Sequence, residues 1–369
     1  MREHGTDSAM FCSLNPKPFN LRISRYLVII LTLLEMNLRI SAHTFILIRS
    51  RVWLNDAGMV AHSRTERWFT PTGQAAQNHP DYSPLEVIHD DRVAGSKSYM
   101  WVHLTGELSP VPRIIVYEYQ KTRHSDHPKK YYKDFSGILM TDGLEQCHKL
   151  AREREGLVNA SCLAHARRHF ANAIKAMGKG NAEAARASVA YKALVRIGAI
   201  YDLEGTLKNL SPKERLKERQ TSIRLLVVEY FAWIKDIFRQ ELVLPKSETA
   251  KGLAYSINQE EYLKVFLTDG EVPIDDSASE RALRNFTIGR KNWMTINTVR
   301  GAQASAVIYS ITETAKANGL NIKYLLEQLA ELIDGQGNIE QSELEPLMPW
   351  SKTLTLTLLF YPLLKKNVL

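Results

Sequence analysis

At 369 residues and roughly 150 residues per domain, the chain has room for two or three domains, and its 44% apolar content excludes bulk disorder. A formal charge of +8 with a pI near 9.2 favours a polyanionic partner, either nucleic acid or an acidic membrane surface. Three cysteines, Cys12, Cys147 and Cys162, are too few for a disulfide framework, so a reducing, cytoplasmic setting is expected.

Residues 1–80 show no clear period. Within them RYLVIILTLLEM (26–37) is apolar but shorter than the roughly 18 residues that suggest a spanning helix. It also lies too far from Met1 for a signal peptide. No membrane partner is expected, although 26–37 and 353–364 are the stretches on which that rival reading would rest. Residues 55–80 read as loop with short helical pieces. From 81 onward PLEVI (84–88), SYMWVHL (98–104) and RIIVYEYQ (113–120) are β-branched or aromatic runs with short turn-rich links, which predicts three strands in an antiparallel meander. Helix is expected at 126–135, then a buried strand in SGILMTDG (136–143). LEQCHKLAREREG reads as helix, and LVNASCLAH as a fifth strand running into the helix ARRHFANAIKAM.

From about 164 to 268 the pattern is almost wholly helical. Ser211, Pro212 and Glu214 have the spacing of a capping box with proline at the first helical position. The aromatic run VVEYFAWIKDIF (227–238) reads as helical core. Two further helices follow, one starting in EVPIDDSASERALRNF and one in ASAVIYSITETAKANG that closes at Asn318-Gly319.

The stretch SERALRNFTIGRKNW (279–293) holds one acid, Glu280, among Arg281, Arg284, Arg290 and Lys291. One reading is a surface helix whose Glu280 pairs with Arg284 at i, i+4. The other is that Glu280 binds a cation while the basic residues hold a polyanion. Two more acids fall where side chains converge. Asp81 begins the first predicted strand, and Asp142 ends the fourth, where ligand sites form in α/β sheets. Three such acids in a basic chain can hold two divalent metals for an in-line displacement at phosphorus, and magnesium suits hard oxygen ligands. In CLAHARRHF (162–170), Cys162 and His165 have the spacing of half a zinc site, with Cys147, His148 and His169 as conceivable partners. The favoured reading makes Cys162 a small core residue, turns His165 toward the strand tips and gives Arg167 and Arg168 to phosphate.

Five segments in this order, AGSKSYMWVHLTG, VYEYQKTRHSDHPKKYYKDFSGILMTDG, CLAHARRHF, SASERALRNFTIGRKNWM and RGAQASAVIYSITETAKANGLN, resemble the transposases of the insertion-sequence-66 family. The resemblance covers about 81–333. It implies a DDE transposase with an α/β fold, a ribonuclease-H-like mixed sheet with a large all-helical insertion. Asp81, Asp142 and Glu280 are then the catalytic, metal-holding acids for two Mg²⁺ ions, with Mn²⁺ as a substitute. DNA is the implied partner, both element ends and target, contacted by Arg167, Arg168, Arg281, Arg284, Arg290 and Lys291, and a homo-oligomer is expected. The implied layout is a truncated or degenerate region at 1–80, the catalytic domain at 81–169 and 269–333, the insertion at 170–268 and a tail at 334–369. Where the family reads Asp-Glu-Thr-Pro this chain has DYSP, and 1–80 holds one cysteine in place of a cysteine-rich module. A remnant that binds DNA or a partner transposase without cutting is the alternative expectation.

Overall fold

A computed structural model describes residues 76–78, 81–322 apart from 110, 125 and 133–134, and then 325–326, 328–329, 344–351 and 354. Cys12, the apolar run at 26–37, the rest of 1–75 and most of the 334–369 tail lie outside the described residues, and of Asp81 the backbone alone is described.

The expected meander is present. Strands β2 (Asp81–His89), β3 (Lys97–Leu104) and β4 (Ile115–Gln120) pair antiparallel, with Asp81 opposite Val102 and Met100 opposite Tyr119. Their period of two sends Leu85, Val87, Met100, Val102, Leu104, Ile115 and Tyr117 into one apolar cluster. Short α1 (Asp126–Tyr131) leads to β5 (Gly137–Thr141), α2 (Glu145–Glu153) and β6 (Leu157–Ser161). Strands β5 and β6 are parallel neighbours, joined by the crossover helix that such pairs need.

One element corrects the expectation of loop at 55–80. Ala76–Asn78 forms β1, parallel to β5, with Ala76 opposite Gly137 and Asn78 opposite Leu139. Asp81 therefore opens the second strand rather than the first. The sequence AQN has no apolar alternation, and its strand state comes from backbone pairing with a distant segment. The strand orders are β1-β5-β6 and β4-β3-β2-β7, and the segment β1–β2 touches both groups.

The helical block comprises α3 (Leu163–Met177), α4 (Ala182–Ala187), α5 (Val189–Thr206), α6 (Pro212–Glu218), α7 (Arg224–Arg239), α8 (Glu248–Asn258) and α9 (Glu260–Leu263). The capping box at Ser211 is complete, with Glu214 accepting from the Ser211 amide at 3.0 Å. From the 227–238 run, Val227, Tyr230, Phe231, Ile234 and Ile237 are core, in one cluster with Ile138 and Met140 of β5 and Ala160 of β6. The block thus shares its core with the parallel strands. A single π turn at Arg219–Ile223 seats a wholly buried Arg219, which pairs with Glu204 and donates to the carbonyls of Phe266 (2.8 Å) and Asp269 (2.7 Å).

The chain then returns to the meander through α10 (Ser277–Trp293), β7 (Ile296–Thr298) and α11 (Val299–Ala317). Among the described residues strand β4 pairs with a strand on one edge alone, and an open edge is a liability. Three side chains of α11 and its cap close it. Ser310 accepts from the Tyr117 amide at 2.8 Å, Thr314 accepts from the Ile115 amide at 2.9 Å, and Asn318 accepts from the Arg113 amide at 3.1 Å. The match is geometric: four helical residues rise about 6 Å and two strand residues about 6.6 Å.

Replacing Thr314 with valine keeps the volume but leaves the buried Ile115 amide without its acceptor. The expected cost is about 1–3 kcal/mol, seen as a lower urea midpoint at unchanged m-value. Thr312→Val, which removes a hydroxyl bonded within its own helix at 2.8 Å, is expected to stay within about 0.5 kcal/mol. Equal effects would show that the edge ladder contributes nothing.

Candidate active site

Strand β5 is buried along Ile138–Thr141, so a charged side chain fits only beyond its end. Asp142 is the first residue there, followed by Gly143 at φ +96°, a backbone state that a side chain resists. Burial pushes the Asp142 carboxyl above the usual carboxylate range, against the pull of His165, the Asp142 and Leu144 amides, and Arg168. Its Oδ1 is buried without a hydrogen-bond partner.

The next parallel strand, β6, delivers α3 to the same end of the sheet. Cys162 sits at the helix start, and its Sγ accepts a hydrogen bond from the Asp276 amide at 3.2 Å. The Leu163 amide donates to Ile274 at 3.2 Å. These two bonds tie the β6 tip to the segment that leads into α10, and so fix where Glu280, in the first turn of α10, stands. One turn into α3, the Arg168 guanidinium pairs with Glu280 and donates to His165 Nε2 at 3.2 Å. A guanidinium only donates, so Nε2 is the acceptor and the imidazole proton lies on Nδ1, which is buried and unpartnered. Burial and Arg168 hold the His165 pKa below its ordinary value, while Asp142, Glu280 and Asp276 oppose that.

Asp142, His165, Arg168 and Glu280 are therefore brought together from three elements. Glu280 takes its partner from α3, 112 residues away in sequence, rather than from Arg284 on its own helix. Two contributors went unforeseen. The Asp276 carboxyl is buried within electrostatic reach of His165, Cys162 and Tyr255. Tyr255 of α8 donates its hydroxyl to the Asp142 carbonyl at 3.1 Å, with the Cys162 carbonyl 3.4 Å away, so the helical block clasps both strand tips. The Asp-Asp pair before α10 was a visible signal for Asp276. Nothing local marks Tyr255.

The basic residues divide. Arg281 pairs with Glu107, and Arg290 bonds Ser83 Oγ at 3.1 Å and the Pro84 carbonyl, which ties α10 to β2. Arg167, Arg284 and Lys291 are exposed and carry no ion pair among the described residues. The half zinc site is not built up further: Cys147 and Cys162 are buried free thiols, and among the described residues no three His, Cys, Asp or Glu side chains gather into a ligand set.

A family model described as Transposase IS66 family matches residues 72–304. The chain belongs to the IS66 transposase family. The match begins upstream of β1, in keeping with that strand as part of the fold. Three uncharacterized proteins of Sinorhizobium fredii (strain NBRC 101917 / NGR234) are similar. They are y4qI (27% identical, over 81% of this chain and 58% of that protein), y4jD (28%, over 66% and 46%) and y4hP (28%, over 75% and 50%). The chain thus spans about half the length of these relatives. Among the described residues no helix is long and apolar enough to cross a membrane.

Burial pushes the Cys147 thiol up to about 12, and Cys162 higher still. Since the thiolate is the reactive form, a thiol reagent at pH 8 in a Cys12→Ser background is expected to spare both residues in the native protein. In denaturant it should label both. Rapid native labelling of Cys162 would contradict its place in the core.

Proposed function

We propose that this member of the transposase family cuts and joins DNA by metal-assisted phosphoryl transfer, with Asp81, Asp142 and Glu280 as the acid triad. The observation that carries the reading is that Asp142, whose Oδ1 is buried and unpartnered, and Glu280 converge on the same His165 and Arg168. Hard oxygen donors of this kind suit Mg²⁺ or Mn²⁺.

The strand pairing supports Asp81 as the third acid. Continuing the parallel β1–β5 register by three residue pairs beyond Asn78 and Leu139 reaches Asp81 and Asp142. Taken with the β2–β3 pairing, that continuation supports reading the strands in the order β4, β3, the β1–β2 segment, β5 and β6. We read three antiparallel strands followed by two parallel ones as a ribonuclease-H-like sheet. The helices of 170–268 are then an insertion between the second and third acids, and Tyr255 gives that insertion a part in shaping the site.

When bound, divalent cations supply Lewis acidity to the attacking and leaving oxygens of an in-line displacement. The chain's own groups do the rest. Asp142, Glu280 and Asp81 fix where those cations stand, and the Tyr255, Cys162 and Asp276 ties keep the two strand tips and α10 in register. The exposed Arg167, Arg284 and Lys291 hold backbone phosphates, in line with a charge of +8.

Purified protein is expected to nick supercoiled plasmid with Mg²⁺ or Mn²⁺. Asp81→Asn, Asp142→Asn and Glu280→Gln should each lower the rate by roughly a hundredfold or more with the fold intact. Loss in the Asp142 and Glu280 variants alone would remove Asp81 from the triad. Absence of nicking by a folded protein that still binds DNA at low salt would favour the non-cutting remnant.

A second measurement separates grip from chemistry. Replacing Arg284 and Lys291 with alanine should flatten the dependence of log K on log salt by about 0.9 for each phosphate contact removed. Arg290→Ala is expected instead to lower the melting temperature, because its guanidinium is spent on β2. Unchanged salt slopes in the double variant would move the DNA path to another face.

A further inference from the structure

We infer that Arg168 is an internal counter-ion of the acid site: its guanidinium competes with the divalent cation for Glu280, and cation binding releases it to a DNA phosphate. The inference rests on the proposed metal-holding role of Asp142 and Glu280 and adds a residue that regulates its occupancy.

Four observations lead to it. First, the guanidinium sits on Glu280 Oε1, the oxygen that also lies 4.0 Å from the neutral His165 Nε2, and among the described residues no lysine or other arginine pairs with Glu280. Second, Arg168 acts electrostatically on Asp142 as well, so one side chain compensates both acids. Third, the pair is open to water, with the Arg168 side chain 50% and the Glu280 side chain 35% exposed. Exposed pairs are weak and screened by salt, so this one breaks easily. Fourth, Asp142, which is within electrostatic reach of Arg168, keeps a buried Oδ1 with no hydrogen-bond partner, an acceptor still open to a cation.

A guanidinium and a divalent cation repel each other, so both cannot occupy Glu280 at close range. A dication shared by two or three carboxylates has the stronger claim. The displaced guanidinium then joins Arg167, which is exposed one residue earlier on α3. Its planar fork suits a phosphate. Cation loading and DNA grip become linked through one side chain, and each strengthens the other.

The test measures Mn²⁺ affinity without DNA, by the electron paramagnetic resonance of free Mn²⁺, for the unaltered chain and for Arg168→Ala, Arg168→Gln and Asp142→Asn. The unaltered chain should bind Mn²⁺ in a manner that Asp142→Asn abolishes. Both Arg168 variants should bind it about two- to fivefold more tightly. With Ca²⁺ in place of Mn²⁺, DNA affinity should rise in the unaltered chain and rise less in the Arg168 variants. A purely structural tie would predict the opposite sign, weaker Mn²⁺ binding when Arg168 is lost. Equal or weaker binding by both folded Arg168 variants, with Asp142-dependent binding intact, would overturn this inference alone. If the unaltered chain shows no Asp142-dependent Mn²⁺ binding, the metal-site reading falls and this inference falls with it.

Discussion

The constraint on which the site depends is the double burial of β5. A parallel strand flanked by strands on both edges and covered on both faces has no room for an unpaired charge along its length. Ile138 and Met140 face the helical cluster, while Leu139 packs with Tyr132, Cys147, Leu150 and Leu157 on the other side. Asp142 stands at the first position where a carboxylate is tolerated. Being at an edge of the core rather than outside it, its carboxyl still feels the desolvation that raises its pKa. The same packing that builds the sheet therefore prepares an acid that gains from a cation.

A strand tip alone is a loose platform, and the surrounding ties answer that. Tyr255 reaches from α8 to the carbonyl of Asp142, Ser161 donates to Gln259 at 2.9 Å, and Cys162 receives the Asp276 amide. Each bond is individually worth about 1 kcal/mol. Their value lies in joining three segments that are far apart in sequence at one point. The helical block, which shares its core with β5 and β6, cannot shift without moving Asp142.

Local chemistry made much of the fold legible. The meander followed from β-branched alternation, the α6 start from Ser211 and Glu214, and the α11 end from Asn318 and Gly319, whose φ is +69°. What escaped was decided by distant partners. AQN at 76–78 and INT at 296–298 are three-residue strands that exist because β5 and β2 pair with them. The π turn follows from seating Arg219 against two carbonyls around 50 residues away, which no periodicity in RQTSI announces. At the site, Asp142 was visible as an acid ending an apolar run, and Glu280 as a lone acid in a basic helix. Tyr255 lay hidden because it is the one tyrosine of α8 and no local pattern in ETAKGLAYSIN says that its hydroxyl reaches a strand tip.

The fate of the basic stretch after Glu280 shows how far composition can carry an argument. Read as a block, Arg281, Arg284, Arg290 and Lys291 looked like one phosphate-binding face. In the fold they have different work. Arg281 answers Glu107, Arg290 fastens α10 to β2, and Arg284 and Lys291 remain exposed. A helix turns about 100° per residue, so four cations over eleven positions cannot all face one ligand, and those that meet the sheet are held by it. The lone acid, meanwhile, draws its cation from another helix. Net charge thus describes the chain as a whole, while the partner of each charge is set by which face of α10 it occupies.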